Sequence, residues 1–223
     1  MAAMTKVEPA AKPGAAAAVG VRVCESLSGF LAATDTCEEG YRRGRREGQR
    51  PDGRPSGRAA YRAAIVIPDL DAFLTDPEHL AALEGIADVS GLASGRALEG
   101  ASIRLFCRRQ GRKRILYELP FRADDGRLYA LRGEKRIEDD PGLDVWTDMT
   151  TLYAEMVAVD GGDAEVRARG ILRVPLSTAL GMGFTFRGMG PARPLATARA
   201  ALRFLLFCRA ELNETYRKFL VPW

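Results

Sequence analysis

The sequence predicts a mainly β protein, an antiparallel barrel or sandwich of about eight strands followed by a long C-terminal helix. Three observations predict it. Residues 102–137 fall into three apolar–polar alternating runs separated by short polar turns. Further strand-like runs lie before and after that meander, at 21–33, 59–67, 145–159 and 166–174. From Leu195 to about Phe219 the apolar period lengthens to three or four residues, the spacing of a helix. With 223 residues, 47% hydrophobic and 28% charged, the chain can build the core of one large domain.

Residues 1–20 are rich in Ala, Pro and Gly and show no periodicity, so a disordered tail is expected there. The barrel domain is expected over 21–190 and the C-terminal helix, packed on the barrel, over 191–223. Val21–Ala33 mixes β-branched, aromatic and small residues around Gly29 and reads as a first strand with a kink. A basic run, Tyr41-Arg-Arg-Gly-Arg-Arg-Glu-Gly-Gln-Arg50, opens a loop over 41–58. Charge runs of this kind are usually solvated faces, and almost no aromatics interleave it, so a nucleic-acid partner is not expected.

Ala59–Ile67 reads as a strand that Pro68 ends. Asp69 can then cap a short helix over 69–83, with Pro77 in a first-turn position. His79, the sole histidine, falls on that helix. A lone imidazole can serve acid–base chemistry, but without a neighbouring nucleophile or orienting acid it reads as a surface helix residue. Ile86, Val89 and Leu92 suggest a weaker strand, and Gly95–Gly100 a connection.

The meander is the clearest pattern. Ile103, Leu105 and Cys107 share a face, a turn follows at Gln110–Gly111, and Ile115, Tyr117, Leu119 and Phe121 share the next. Asp124-Asp-Gly marks a second hairpin before the run Leu128–Ile137. An acidic turn then leads through Pro141-Gly142 into Val145–Val159, which is apolar enough to read as one long strand buried on one face and partly covered on the other. Val166–Val174 returns beside it with Arg167, Arg169 and Arg173 on its solvent face. Phe184–Met189 can form a last short strand. So many sequential antiparallel strands protect their edges best by closing, which favours a calycin- or lipocalin-like barrel.

The sequence carries little legible chemistry. Glu138, Asp139, Asp140, Asp144 and Asp148 are dense enough in oxygen to suggest calcium, but their spacing matches no EF-hand loop, and they read as a solvated turn. Four cysteines without a C-x-x-C pair, and one histidine, give no zinc site. Cys24 and Cys37 flank the first strand and could pair, although a reducing cytoplasm is the simpler setting. No apolar run is long enough to span a bilayer, and the N-terminus lacks the apolar stretch of a signal peptide. Net charge is +4 and the isoelectric point near 9.0, too mild a basicity to select a partner. Gly181-Met-Gly183 and Gly188-Met-Gly190 lack the strand–loop–helix context of a phosphate loop and no cofactor is expected. Their Met and Phe neighbours instead suit an apolar ligand mouth, giving Met182, Phe184, Phe186, Trp146, Tyr153 and Tyr117 as ligand-binding candidates. Catalytic residues cannot be assigned. A small isomerase or cyclase acting on a lipid-like substrate, with acids such as Asp144 or Glu155 inside the barrel, is the alternative.

Three segments, Gly44-Arg45-Arg46-Glu47-Gly48, Pro68-Asp-Leu-Asp-Ala-Phe-Leu-Thr-Asp-Pro77 and Asp139-Asp-Pro-Gly-Leu-Asp-Val-Trp-Thr-Asp-Met-Thr-Thr-Leu-Tyr153, carry a family likeness. Together they resemble the accessory region beside flavin-dependent, GMC-type (cholesterol-oxidase-like) oxidoreductase units in large bacterial proteins, some of which also carry an α/β-hydrolase unit. The resemblance spans roughly residues 25–218, and the Asp-Pro-Gly to Tyr segment is its most specific part. It transfers no catalytic residue, and this chain has neither a flavin-binding G-x-G-x-x-G nor a hydrolase elbow. By association alone it implies a sterol- or lipid-related accessory module, with an apolar small molecule or a flavin oxidoreductase as partner.

Overall fold

The computed structural model describes residues 18–48, 57–140, 144–159, 164–175, 187–190 and 194–216. Alternation along β1 (Gly20–Ala32) turns Val21, Val23, Glu25, Leu27 and Leu31 to one buried face. The same period repeats in β2 (Arg58–Ile67), β3 (Leu80–Val89), β5 (Ala101–Arg109), β6 (Arg112–Arg122), β7 (Leu128–Ile137), β8 (Thr151–Ala158) and β9 (Glu165–Arg173). Each pairs antiparallel with the next in that order, and β9 returns to pair with β1. The result is a closed antiparallel barrel, with β4 (Ala93–Ala97) beside β3 and β10 (Arg187–Met189) beside β1 as additional strands.

Closure depends on a tight seam. Ser28–Ala32 of β1 lie against Arg169–Arg173 of β9, and a Cβ at Gly29 would strike the Ile171 carbonyl, while one at Gly170 would strike that of Phe30. Only glycine lets these two backbones approach so closely. The basic run is not a loop: it forms most of helix α1 (Cys37–Gly48), which packs over the seam with Gly40 and Gly44 buried. Thr36 caps that helix by accepting from the Glu39 N–H, and Glu38 and Glu39 in the first turn with Arg45 and Arg46 in the last suit its dipole.

Two other segments depart from the expected elements. The helix begun by Asp69 stops after α2 (Leu70–Thr75), where Asp76 accepts from the N–H groups of Glu78 and Leu80 and turns the chain. Residues 80–83, expected in that helix, instead join the strand suggested around Ile86 and Val89, because Ala81 and Leu83 fill the lumen between β2 and β5. His79 therefore sits in a turn at φ 44°, not on a helix. The long strand expected over 145–159 is also divided. Asp144–Thr150 form helix α3, whose Val145 and Met149 are one turn apart and pack on the core, and β8 begins only at Thr151. A run apolar at both periods is decided by what it packs against.

The 22-residue helix α4 (Pro194–Thr215) lies across the end of the barrel where β1 starts and β2 finishes. Phe204 and Phe207 meet Phe73, Phe106 and His79 there, with ring centroids 4.7–6.2 Å apart. The His79 Nδ1 lies 3.0 Å from the Phe73 carbonyl oxygen, so the imidazole is part of this packing. Lys113, almost fully buried, donates to the Glu211 carbonyl and to Glu214, both within 2.8 Å. At the helix end the Tyr216 hydroxyl donates to Asp148 of α3 at 2.5 Å. No disulfide joins Cys24 to Cys37.

Candidate functional site

The two ends of the barrel differ. α2, α3 and α4 cover one, and the other opens as a cleft of about 390 Å3. Its floor is made of inward residues from strands remote in sequence: Leu31 of β1, Val89 of β3, Tyr129 of β7, Met156 of β8 and Ala168 of β9, with Leu92 beside them. Tyr129 stacks on Phe121 below, ring centroids 6.3 Å apart. That volume lies in the lower part of the range of small-molecule sites, roughly 300–1,000 Å3, which are typically apolar with a few polar groups that fix orientation.

Two guanidinium groups stand at the rim. Arg127, next to the Asp124–Gly126 turn, reaches over the Tyr129 ring, 5.6 Å from its centroid. Arg167 is brought there by a bulge: β8 and β9 pair Met156 with Ala168 and then Val157 with Val166, which leaves Arg167 as the extra residue. A bulge re-aims the side chain it carries. Arg167 already holds a carboxylate, that of Glu165, at 2.8 Å. Exposed pairs of this kind are worth roughly 0–1 kcal/mol, little enough for another anion to exchange with.

Deeper in the lumen lies a polar layer. Glu25 of β1 accepts from the Tyr61 hydroxyl at 2.8 Å and from the Tyr117 hydroxyl at 3.2 Å, and the Lys135 ammonium is 3.6 Å away. The same ammonium lies 5.1 Å from the centre of the Tyr117 ring. All four residues are buried. Burial, reinforced by the Glu25 charge, raises both tyrosines well above the usual phenol value. Burial lowers Lys135 and Glu25 opposes it. Leu27, Leu119 and Leu131, each buried, face the lumen between this layer and the mouth.

The residues expected from the sequence to bind ligand do not gather at one place. Trp146 is exposed on α3, at the covered end. Tyr153 faces outward on β8 beneath the Arg136 guanidinium, 4.1 Å from its ring centre. Tyr117 and Tyr153 both border a groove on the barrel's outer wall, but the Tyr117 hydroxyl turns inward to Glu25. The charges of that groove satisfy one another, Arg132 with Glu118, Arg136 with Glu134 and Arg169 with Glu155, so Glu155 is outside the barrel and not within it. Met182, Phe184 and Phe186 lie outside the described residues.

In the acidic turn, Glu138 pairs with Arg114 at 2.6 Å, and Asp148 accepts from the Glu138 N–H as well as from Tyr216. Among the described residues no three His, Cys, Asp or Glu side chains are grouped to hold a metal ion. The mouth residues escaped the sequence reading because each is an ordinary inward position of its own strand. Only the ends of five strands brought together make them a site.

Compared with family models, curated proteins and solved structures, the chain matches nothing in any of the three.

Proposed function

We propose that this protein is a non-catalytic accessory module that binds an amphipathic, lipid-like molecule at the open end of its barrel. The observation that carries this reading is the mouth: an apolar floor of Leu31, Val89, Leu92, Tyr129 and Met156 beneath two rim arginines, Arg127 and Arg167. The apolar part of the ligand rests on the floor, and an acidic head meets the guanidinium groups, which favour carboxylate and phosphate through paired N–H donors. The lipid-related setting implied by the family resemblance agrees with it.

The test is displacement of a fluorescent fatty acid, with oleate and methyl oleate as competitors. Oleate is expected to compete at least about tenfold better than its ester, a difference of roughly 1.4 kcal/mol. Ala168→Trp, which fills the floor, is expected to abolish binding. Equal competition by acid and ester, or unchanged binding in Ala168→Trp, counts against the reading.

A small isomerase or cyclase is the second reading, favoured by the ionisable pair Glu25 and Lys135 within the lumen. Both carboxylate oxygens of Glu25 are engaged by tyrosines, and three leucines separate the layer from the mouth, which fits a polar element of the core better than a reacting group.

A further inference from the structure

Among the described residues, exposed large apolar side chains are confined to one end of the barrel. Among the described residues the large hydrophobic side chains left in solvent are Leu80, Trp146, Leu195, Leu202, Leu205 and Leu206. Leu80 begins β3 next to His79, which packs on α4; Trp146 is on α3, which Asp148 ties to Tyr216; the other four are on α4 itself. All therefore lie at the covered end, opposite the mouth. Scattered exposed leucines are ordinary, but a cluster restricted to one end marks a contact surface.

The α4 leucines form a stripe. Leu195, Leu202, Leu205 and Leu206, with Ala198, recur at three- and four-residue intervals on the solvent side, while Ala200 and Phe204 are buried on the barrel side. From Leu195 to Arg209 the stripe runs roughly 21 Å, about four turns. Its charge is of one sign. Arg199 and Arg209 lie at the same spacing along it, whereas the acids of this helix, Glu211 and Glu214, are engaged by Lys113 and Arg108 of the barrel.

We infer that α4 is a docking face for a partner protein helix that carries leucine-like residues on one side with Asp or Glu beside them. A second copy of this chain fits poorly. Antiparallel pairing of two stripes about their midpoint, Leu202, sets Arg199 against Leu205 and Arg209 against Leu195, and parallel pairing sets each arginine against itself, so neither arginine meets an acid in either. An anionic bilayer fits poorly too. Arg199 interrupts the apolar stripe between Leu195 and Leu202. No described helix is long and apolar enough to cross a membrane. The helical form of the partner follows from the 3–4 spacing, which accepts the side chains of a second helix in the manner of a coiled coil. This surface is separate from the mouth, and neither reading depends on the other.

Two labelled helical peptides with the same leucine spacing, one flanked by Glu and one by Lys, test the inference by fluorescence anisotropy on the full chain. The Glu peptide is expected to bind at least tenfold more tightly. The double variant Leu202→Gln/Leu206→Gln, altered only at exposed positions, is expected to lose that binding with an unchanged circular-dichroism spectrum. Arg199→Glu/Arg209→Glu is expected to reverse the preference to the Lys peptide. Equal binding of the two peptides, binding of neither, binding of phosphatidylserine vesicles in place of the Glu peptide, or a dimer in light scattering that the leucine variant dissolves would each overturn it.

Discussion

Glu25 on β1 and Lys135 on β7 meet across the lumen at 3.6 Å, although their strands are not neighbours in the barrel wall. Their charges cancel inside a core of aliphatic and aromatic side chains, and the two tyrosine hydroxyls complete the shell of the carboxylate. Removing one member leaves the other charge buried alone. Glu25→Leu or Lys135→Met is expected to destabilise the fold by about 3–5 kcal/mol, and the double variant by far less. Urea midpoints of the two single variants and the double variant measure the coupling. A strictly additive double variant would show that the pair does not act as a unit.

The seam offers a steric test. Because a side chain at Gly170 would meet the Phe30 carbonyl, Gly170→Val must spread β1 from β9. A loss of about 3 kcal/mol is expected, at the upper end of overpacking effects. Gly126→Ala, in a turn with open space around it but φ 84°, is expected to lose less, since only backbone conformation is strained there. Thermal unfolding of the two variants ranks them.

Acid is expected to weaken the attachment of α4. The bond and charge of Lys113 hold the Glu214 carboxyl below its ordinary value of 4.5. At Glu138 burial pulls upward, but Arg114 outweighs it and the net direction is again down. Carboxyls lowered on folding contribute stability that is fully present above 4.5 and is lost as pH falls through their folded-state values. Urea midpoints at pH 7, 4 and 3 are therefore expected to fall, and Lys113→Met is expected to flatten the part due to Glu214. An unchanged slope in that variant would remove Glu214 from the account.

Thiol chemistry should separate the four cysteines. Cys24 is exposed and Cys107 buried. Burial pushes the Cys208 thiol up to about 12 and raises Cys37 and Cys107 as well. The thiolate is the reactive form, so Ellman's reagent at pH 8 is expected to modify Cys24 first and the others only on unfolding. Rapid modification of Cys208 in the folded protein would show that α4 leaves the barrel readily.

Much of the architecture follows from local chemistry. The alternation of Ile115, Tyr117, Leu119 and Phe121, the turns at Gln110–Gly111 and Asp124–Gly126, and the 3–4 spacing after Leu195 each specify an element within about ten residues, and they are found as elements in β5–β7 and α4. Where two periods compete, neighbours distant in the chain decide. Residues 80–83 have helix-forming composition yet must supply Ala81 and Leu83 to the lumen, and residues 144–150 have strand-like composition yet form a helix over the end of β7. The sites are more remote still from local signals. Glu25, Tyr61, Tyr117 and Lys135, or Leu31, Val89, Tyr129 and Met156, are unremarkable singly and become a polar layer and a mouth only when β9 closes on β1. The sequence by itself determined most of the strands, the turns of the meander and the terminal helix, because these depend on contacts a few residues apart. Only the closed tertiary structure decided which inward side chains share a level of the barrel, because register around the barrel wall is set by pairing between strands far apart in the chain.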